Sequence, residues 1–451
     1  MTLFGLSLAL RWGVPEAQAF CGAYVGSSST NHASVVVVVR QGDTTTLTLA
    51  NDFGDATGSF AYVVPVPPGL SATDVTVVDP AVIARLDAYS APRTVAYSCD
   101  DVVWSWSEGE DGEGHWEGSA ASSGCGGETG TPVFVPDTAS GDAGASNGGL
   151  DGSGDVLGVR VSDRTTVGSY TLAVVQARGA EGLEAWLATE GFAASETTTE
   201  RLQVYIDAGQ SFLVARVDLD TLPEGRSWLE PLRISYPSDG VSLPLWLGAA
   251  SSSGDQDLLI FGVTDMEAGA LAIANFDNLA LDDECLTDDA DTTMETQWQA
   301  SLGASARAPW VSEFGWLSGK CDPCANDQVL TDADLGAIGF EGPAEESFFT
   351  RIHMRYRPDQ IDADVALYES GVTDRWQLRY IDHTSAMEEF FDVCDGTAGS
   401  SSGSVCEAPP EPDTGDAGAT SDGSSTGTTG GLCSGVAVVM IGAALRTRRR
   451  R

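Results

Sequence analysis

From Ala33 to Asp52 the chain reads "ASVVVVVRQGDTTTLTLAND", a block of valines followed by threonine and leucine in alternation. β-Branched residues on both sides of Gln41-Gly42-Asp43 predict two strands joined by a tight turn. "SFAYVVPVP" predicts a further strand, and its prolines place it at a sheet edge or mark the chain's exit. In "DPAVIARLDAY", Val82, Ile83, Leu86 and Tyr89 recur at helical spacing behind an Asp-Pro start, so a helix is expected over 79–89. "RTVAYS" returns to strand.

Patterning then lapses and resumes. "VGSYTLAVVQA" predicts a strand, "EGLEAWLATEGF" a short amphipathic helix, and "QSFLVARVDL" another strand. "PLRISYP", "LPLWLGAAS", "DLLIFGVT" and "GALAIANF" follow at the close spacing of strands in a sandwich or meander. "TTMETQWQASLGASA" predicts a helix, and "FFTRIHMRYRPD", "ADVALYES" and "RWQLRYIDH" are strand-like. The expected fold class is α+β, strand-dominated, with sandwich or meander-like sheets, a few short helices and disulfide staples.

The interruption, 100–155, is rich in Gly, Ser and Asp and contains "WSWSEGEDGEGHWEG" and "PDTASGDAGASNGG"; a related phrase, "PDTGDAGATSDG", recurs at 412–423. Such segments bury too little apolar surface to offset chain entropy, so both are expected to act as linkers. The layout is therefore a signal peptide at 1–19, a β-rich body at 20–99 and 156–395 around the acidic insert 100–155, a disordered stalk at 396–432 and an anchor or sorting signal at 433–451.

Charge changes the picture in one respect. With 66 acidic against 23 basic residues and a formal charge of -43, the chain lacks the cationic surface that phosphates require, which excludes nucleic acid as a partner. Only one basic residue, Lys320, is a lysine. The acidic excess fits a soluble, self-repelling surface or adaptation to salt, and names no ligand.

Both termini read as addresses. "MTLFGLSLAL" is apolar, Pro15 can break a helix, and Ala17 and Ala19 form an A-x-A cleavage site, so an exported chain starting at Phe20 is expected. The signal departs from the usual pattern in lacking an N-terminal positive charge and in carrying Arg11. At the other end Cys433 joins the Gly/Ser/Thr stalk to Gly435–Leu445, about 16 Å of helix against a hydrocarbon core of about 30 Å. Terminal arginines would remain cytoplasmic, so the body is expected outside, at the cell surface or outer envelope, tied to the membrane through its C-terminal segment.

In an exported chain, cysteines point to disulfides. Apart from Cys433 there are eight, Cys21, Cys99, Cys125, Cys285, Cys321, Cys324, Cys394 and Cys406, an even number expected to be oxidised. Proximity favours Cys99 with Cys125 and Cys394 with Cys406, and the other pairings stay open. The Cys321–Cys324 pair in "KCDPC" is also the one motif that could carry redox chemistry, but it lacks the strand-to-helix setting of a thioredoxin-like site.

Other candidate chemistry is sparse. G-x-S-x-G occurs at 144–148 and 423–427, both in low-complexity sequence without the strand and helix that a nucleophile elbow needs. The histidines His32, His115, His353 and His383 show no zinc spacing, and packing or a satisfied hydrogen bond is the expected role of His353 and His383. Glu108, Glu110, Asp111 and Glu113 are weak calcium candidates, since irregular carboxylate cages suit Ca²⁺, but the twelve-position calcium loop is incomplete. No other cofactor is expected.

"FCGAYVG", the valine hairpin, "FAYVVPVP", "SAPRTVAY", "VGSYTLAVVQARGAEGLEAWLATEGF", "FLVARVDL", "PLRISYPSDGVSLPLWLGAASSSGDQDLLIFGV" and "TRIHMRYRPDQIDADVALYE" together resemble the bacterial domain-of-unknown-function family 2330, from about Phe20 to Asp392. The resemblance implies a secreted protein and assigns no catalytic residue. Stalk, cysteine, short apolar run and arginines resemble the myxobacterial C-terminal sorting signals, which implies processing at Cys433 and surface display. The reading is a surface or envelope protein acting as a binding or structural module with an unidentified envelope or extracellular partner. The alternative is an extracellular enzyme using thiol-disulfide or carboxylate chemistry.

Overall fold

Val35, Val36, Val37, Val38 and Val39 are all buried, odd and even positions alike, so their strand has apolar cover on both faces. The computed structural model describes residues 21–26, 33–53, 58–96, 102–108, 114–120, 127–129, 157–219, 222, 228–252, 254–279, 281, 284–285, 296–300, 305–320 and 329–382. The valine strand, Ala33–Gln41, turns at Gly42, where φ is +56°, and pairs with Thr44–Asn51 as the expected hairpin. It lies inside the largest sheet. Across that sheet the order is Asp277–Asn278, Pro309–Leu317, Ser347–Tyr356, Gln256–Asp265, Ala33–Gln41, Thr44–Asn51, Leu232–Pro237 and Thr76–Val77, with Trp376–Gln377 added to Pro309–Leu317. Gln256–Asp265 runs parallel to the valine strand, Ile260 opposite Val36, and antiparallel to Ser347–Tyr356.

An antiparallel five-stranded sheet follows the order Ala23–Gly26, Phe60–Val66, Ser211–Val217, Tyr170–Ala177, Val159–Val167. One face of the large sheet, with Val36, Val38, Leu258, Ile260, Ile352 and Met354, shares a core with it. Helices Ala180–Thr189 and Glu196–Asp207 contribute Leu183, Trp186, Leu187, Leu202 and Tyr205 to the same core. On the opposite face Val35, Val37, Leu259, Phe261 and Phe349 pack under helices Pro80–Ser90 and Asp332–Ala337 through Ile83, Leu86, Tyr89 and Leu335. The strand-dominated α+β architecture is thus a helix-flanked arrangement of sheets. Two small sheets complete the body: Val241–Leu243, Val365–Glu369 and Leu271–Ile273 in one, Glu284–Cys285, Arg379–Asp382, Arg93–Ala96 and Gly127–Thr129 in the other.

Several local expectations are met with a mechanism. Pro80–Ser90 starts at an Asp79 N-cap whose carboxylate accepts from the Ala81 amide at 2.9 Å. Phe60–Val66 is an interior strand rather than an edge, but Ala23–Gly26 pairs with it only as far as Val63. Pro65 therefore sits beyond the end of that neighbour, where its missing N–H interrupts no ladder on that side.

Other segments depart from expectation. "LPLWLGAAS" forms a short helix, Leu245–Gly248, instead of a strand. Helix Glu196–Asp207 arises in a threonine-rich stretch of poor propensity, started by the Ser195 side chain accepting from the Thr198 amide. Strand Val159–Val167 carries few apolar positions and pairs along Tyr170–Ala177. The insert 100–155 is not simply a linker. Val102–Glu108 and Gly114–Ala120 form an antiparallel ribbon, and Gly127–Thr129 joins Arg93–Ala96. Residues 97–126 and 383–451 group as a unit separate from the body, 1–96 with 127–382.

Gly269 holds a tight turn at φ +67°, and a Cβ there would lie 2.4 Å from the Val372 carbonyl oxygen and 2.8 Å from its nitrogen. Backbone cannot swing aside as a side chain can. Gly269→Ala is expected to destabilise the body by about 2 kcal/mol or more in urea unfolding, and a change below about 0.5 kcal/mol would contradict this close approach.

Candidate functional site

The helix-covered face of the large sheet carries charge where an apolar stripe is the usual solution. Arg351, His353 and Arg355 occupy alternate positions of Ser347–Tyr356 and so share one face. Asp257 stands directly opposite Arg355 and diagonal to His353, which pairs with Leu259. On the other neighbouring strand the register slips between Ser312 and Phe314, leaving Glu313 as the extra residue of a bulge. A bulge re-aims its side chain, and Glu313 reaches both Arg351 and His353. Helix Pro80–Ser90 brings Asp87 onto Arg351 from above.

These six groups form one chain of alternating sign. Asp87 accepts from the Arg351 Nη1. Arg351 Nε donates to Glu313 at 2.6 Å; His353 meets Glu313 through Nδ1 at 2.8 Å and Asp257 through Nε2 at 3.0 Å. Arg355 closes the chain as a fork on Asp257, at 2.7 and 2.8 Å. All six are buried. Trp298, itself 1% exposed, lies over the His353 ring at 4.6 Å between centroids, and the Arg355 guanidinium is 5.8 Å from the Trp298 ring.

An ionised carboxylate has no proton to donate, so a histidine bonded through both ring nitrogens to Glu313 and Asp257 must be an imidazolium. Charge then balances across the chain, three cations against three anions. Burial by itself would raise the Glu313 carboxyl, but the His353 and Arg351 charges outweigh it and hold it at about 2. Burial would likewise lower His353, and Glu313 and Asp257 push it above its ordinary value. Burial opposes the Arg351 charge as well, and Asp87 and Glu313 raise it on balance.

A second, partly buried cluster lies around Asp364. Tyr205 Oη donates to its carboxylate at 2.7 Å and the Trp246 amide at 3.1 Å. Arg201 stacks on the Trp246 ring at 4.9 Å and donates to the Trp246 carbonyl. Burial pushes Asp364 up, and these hydrogen bonds only partly offset it.

Near this cluster one expectation is corrected. Cys21, expected to be oxidised with the other body cysteines, is a buried free thiol. Its neighbour Gly22, at φ +116°, lets the chain press against the Tyr62 ring, where a Cβ would come within 2.6 Å, and the Tyr62 hydroxyl holds the Cys21 carbonyl. The thiol therefore packs as a small hydrophobe, and burial with the Asp364 charge pushes its pKa up, away from the reactive thiolate. With Cys21 free, the remaining body cysteines are odd in number, so the even-count argument for complete pairing fails. Cys285 lies in a strand beside Ile381; Cys99, Cys125, Cys321, Cys324, Cys394 and Cys406 lie outside the described residues.

Glu108 ends its ribbon strand opposite Gly114. Glu110, Asp111, Glu113, Ala17, Ala19, Cys433 and both G-x-S-x-G matches lie outside the described residues. Among the described residues no group of three or more His, Cys, Asp or Glu side chains is placed to hold a metal. Likewise no helix there is long and apolar enough to cross a membrane. His353 has the satisfied hydrogen bonds expected of it, but the ladder around it was not anticipated. Its one local trace is the Arg-x-His-x-Arg alternation at 351–355.

Fold and site together define a strand-dominated α+β protein whose central sheet carries a continuous, buried ion ladder. The family model described as an uncharacterized protein conserved in bacteria, domain-of-unknown-function family 2330, matches residues 15–368, and the chain belongs to that family. No curated protein and no solved structure matches the chain.

Proposed function

We propose that this protein is an exported binding or structural module of the cell envelope, displayed at the surface through its C-terminal segment. One observation carries the reading. The acid-base groups that converge on the central sheet are spent on one another: Asp87, Glu313 and Asp257 are each held by arginine or imidazolium in the interior, with Trp298 against the His353 ring. A catalytic carboxylate must reach a substrate with a free lone pair or proton, whereas these act as internal ties that set how helix and strands dock. The Ala17-x-Ala19 site and the Cys433 junction supply the address.

The test is protease treatment of intact native cells followed by fractionation. Added protease should degrade the body, and Cys433→Ala should leave a slightly larger form in the inner membrane. Full-length protein that is protease-protected in the soluble cytoplasmic fraction would overturn the proposal.

A further inference from the structure

The turn end of the hairpin Ala33–Gln41 and Thr44–Asn51 carries a polar cleft of about 320 Å³. Val39, Thr46 and Ser235 form one cross-strand row of its floor, and Gln41 with Thr44 forms the next row on the same face. The chain leaving helix Asp332–Ala337 makes the wall. Gly339, at φ +97°, lies so close to the floor that a Cβ there would come within 2.9 Å of the Thr46 Cγ2. Gln41 fastens wall to floor: its Oε1 accepts from the Glu341 amide at 2.7 Å and its Nε2 donates to the Glu341 carbonyl at 3.0 Å. Glu341 is exposed, lines the cleft, and has no ion-pair partner for its carboxylate among the described residues. Thr46 Oγ1 donates to Ser235 Oγ at 2.9 Å, which leaves the Ser235 proton and the remaining hydroxyl lone pairs of the floor available. No lysine or arginine lines the cleft. Arg233, one row further in, is engaged by the Ala337 carbonyl at 2.7 Å and the Thr76 hydroxyl at 3.2 Å.

We propose that this cleft binds a primary ammonium group on an aliphatic stem, the chemistry of a lysine side chain. This gives the binding-module reading a ligand class and rests on it. An ammonium has three rotatable N–H donors and no acceptor, so it calls for a site rich in oxygen acceptors. Glu341 supplies the opposite charge, the hydroxyls of Thr44, Thr46 and Ser235 supply lone pairs, and Val39 gives the stem an apolar floor. Other ligand classes match only part of this lining. An anion meets the Glu341 carboxylate and no cation. A hard divalent ion takes six or more oxygen ligands and prefers several carboxylates, whereas one carboxylate lines the cleft. A neutral sugar leaves the Glu341 charge without a counterpart.

The test is ligand-observed NMR titration of the full chain with Nα-acetyl-lysine amide and with the same compound acetylated on Nε, which keeps the stem and removes the charge. The charged compound should bind about fivefold more tightly or better. Because the whole chain is acidic, two substitutions that remove the same charge separate the site from general attraction. Glu341→Gln should weaken the charged compound about threefold or more, whereas Glu200→Gln, at an exposed position of helix Glu196–Asp207, should leave it unchanged. Ser235→Ala should weaken it about twofold. Glucosamine, which carries its ammonium on a sugar ring, should bind less tightly than the lysine compound. Equal binding of the two lysine compounds, no detectable binding of the charged one, equal weakening by Glu341→Gln and Glu200→Gln, or tighter binding of glucosamine would overturn the proposal. The two proposals fail separately. Cytoplasmic protein that binds the lysine compound through Glu341 sinks the envelope reading alone, and surface protein that ignores it sinks this one alone.

Discussion

Arg351→Ala should cost about 3–5 kcal/mol of folding stability, the largest loss expected from any single substitution in the ladder. Arg351 is 1% exposed and ties two carboxylates at once, Glu313 through Nε and Asp87 through Nη1. Removing it strands Asp87 on the helix and leaves Glu313 with His353 alone. The desolvation already imposed on those carboxylates is then no longer offset. Lost volume is a smaller part of the effect, so Arg351→Met, which restores most of the packing, should remain nearly as unstable as Arg351→Ala. Arg351→Lys keeps the charge without the two-sided reach and should fall between wild type and Arg351→Ala. Urea unfolding at neutral pH reads all three through the shift in midpoint at constant slope. A loss below about 1 kcal/mol for Arg351→Ala would show that the ladder contributes little to stability.

Stability should form a plateau in mildly acidic solution and fall on both sides of it. Glu313 is depressed to about 2 from an ordinary 4.5, so the unfolded chain binds the extra proton between those values. Its contribution is fully present above about 4.5 and is lost as pH falls toward 2, on the order of 3 kcal/mol in all. His353 is raised above its ordinary 6.5, so here the folded state binds the extra proton. Its contribution is fully present below about 6.5 and is lost as pH rises through the folded value. Deprotonation on that side leaves a ring lone pair facing a carboxylate, with Trp298 against the ring. Thermal unfolding across pH 3–10, compared with His353→Gln, isolates the alkaline limb. The variant should be less stable in the plateau and flatter above it. A wild-type protein whose stability keeps rising through the alkaline range would require a neutral His353 and a different hydrogen-bond pattern.

Much of the local architecture was legible in the sequence. Gly42 between β-branched runs, Asp79-Pro80 ahead of a 3.6-residue apolar repeat, and the spacing of Leu183, Trp186 and Leu187 all act through neighbours a few residues away. Periodicity and turn chemistry are complete descriptions of such contacts. They fail where local preference is weak. Glu196–Asp207 became a helix in a run of threonines because Leu202 and Tyr205 found a core to enter, and Leu245–Gly248 coiled where its apolar run alone read as a strand. The tryptophan ribbon was hidden by the glycine and acid content around it.

Tertiary structure alone decided the ladder. In the sequence, Arg351, His353 and Arg355 alternate with apolar residues, the pattern of a strand with one face in water. They are buried because helix Pro80–Ser90 and Trp298 cover that face. Their partners lie far along the chain: Glu313 is 38 residues from Arg351, Asp257 is 98 from Arg355, and Asp87 is 264 from Arg351. No local pattern encodes which carboxylate meets which cation. The fate of Cys21 follows the same logic. Counting cysteines identifies the residues able to pair, whereas burial beside Tyr62 settles that this one does not. Composition and periodicity determined that this chain makes strands, short helices and a core. The placement of charge inside that core depended on a register slip at Glu313 and on the docking of one helix, long-range packing outcomes in which the energy belongs to the pair and not to either residue.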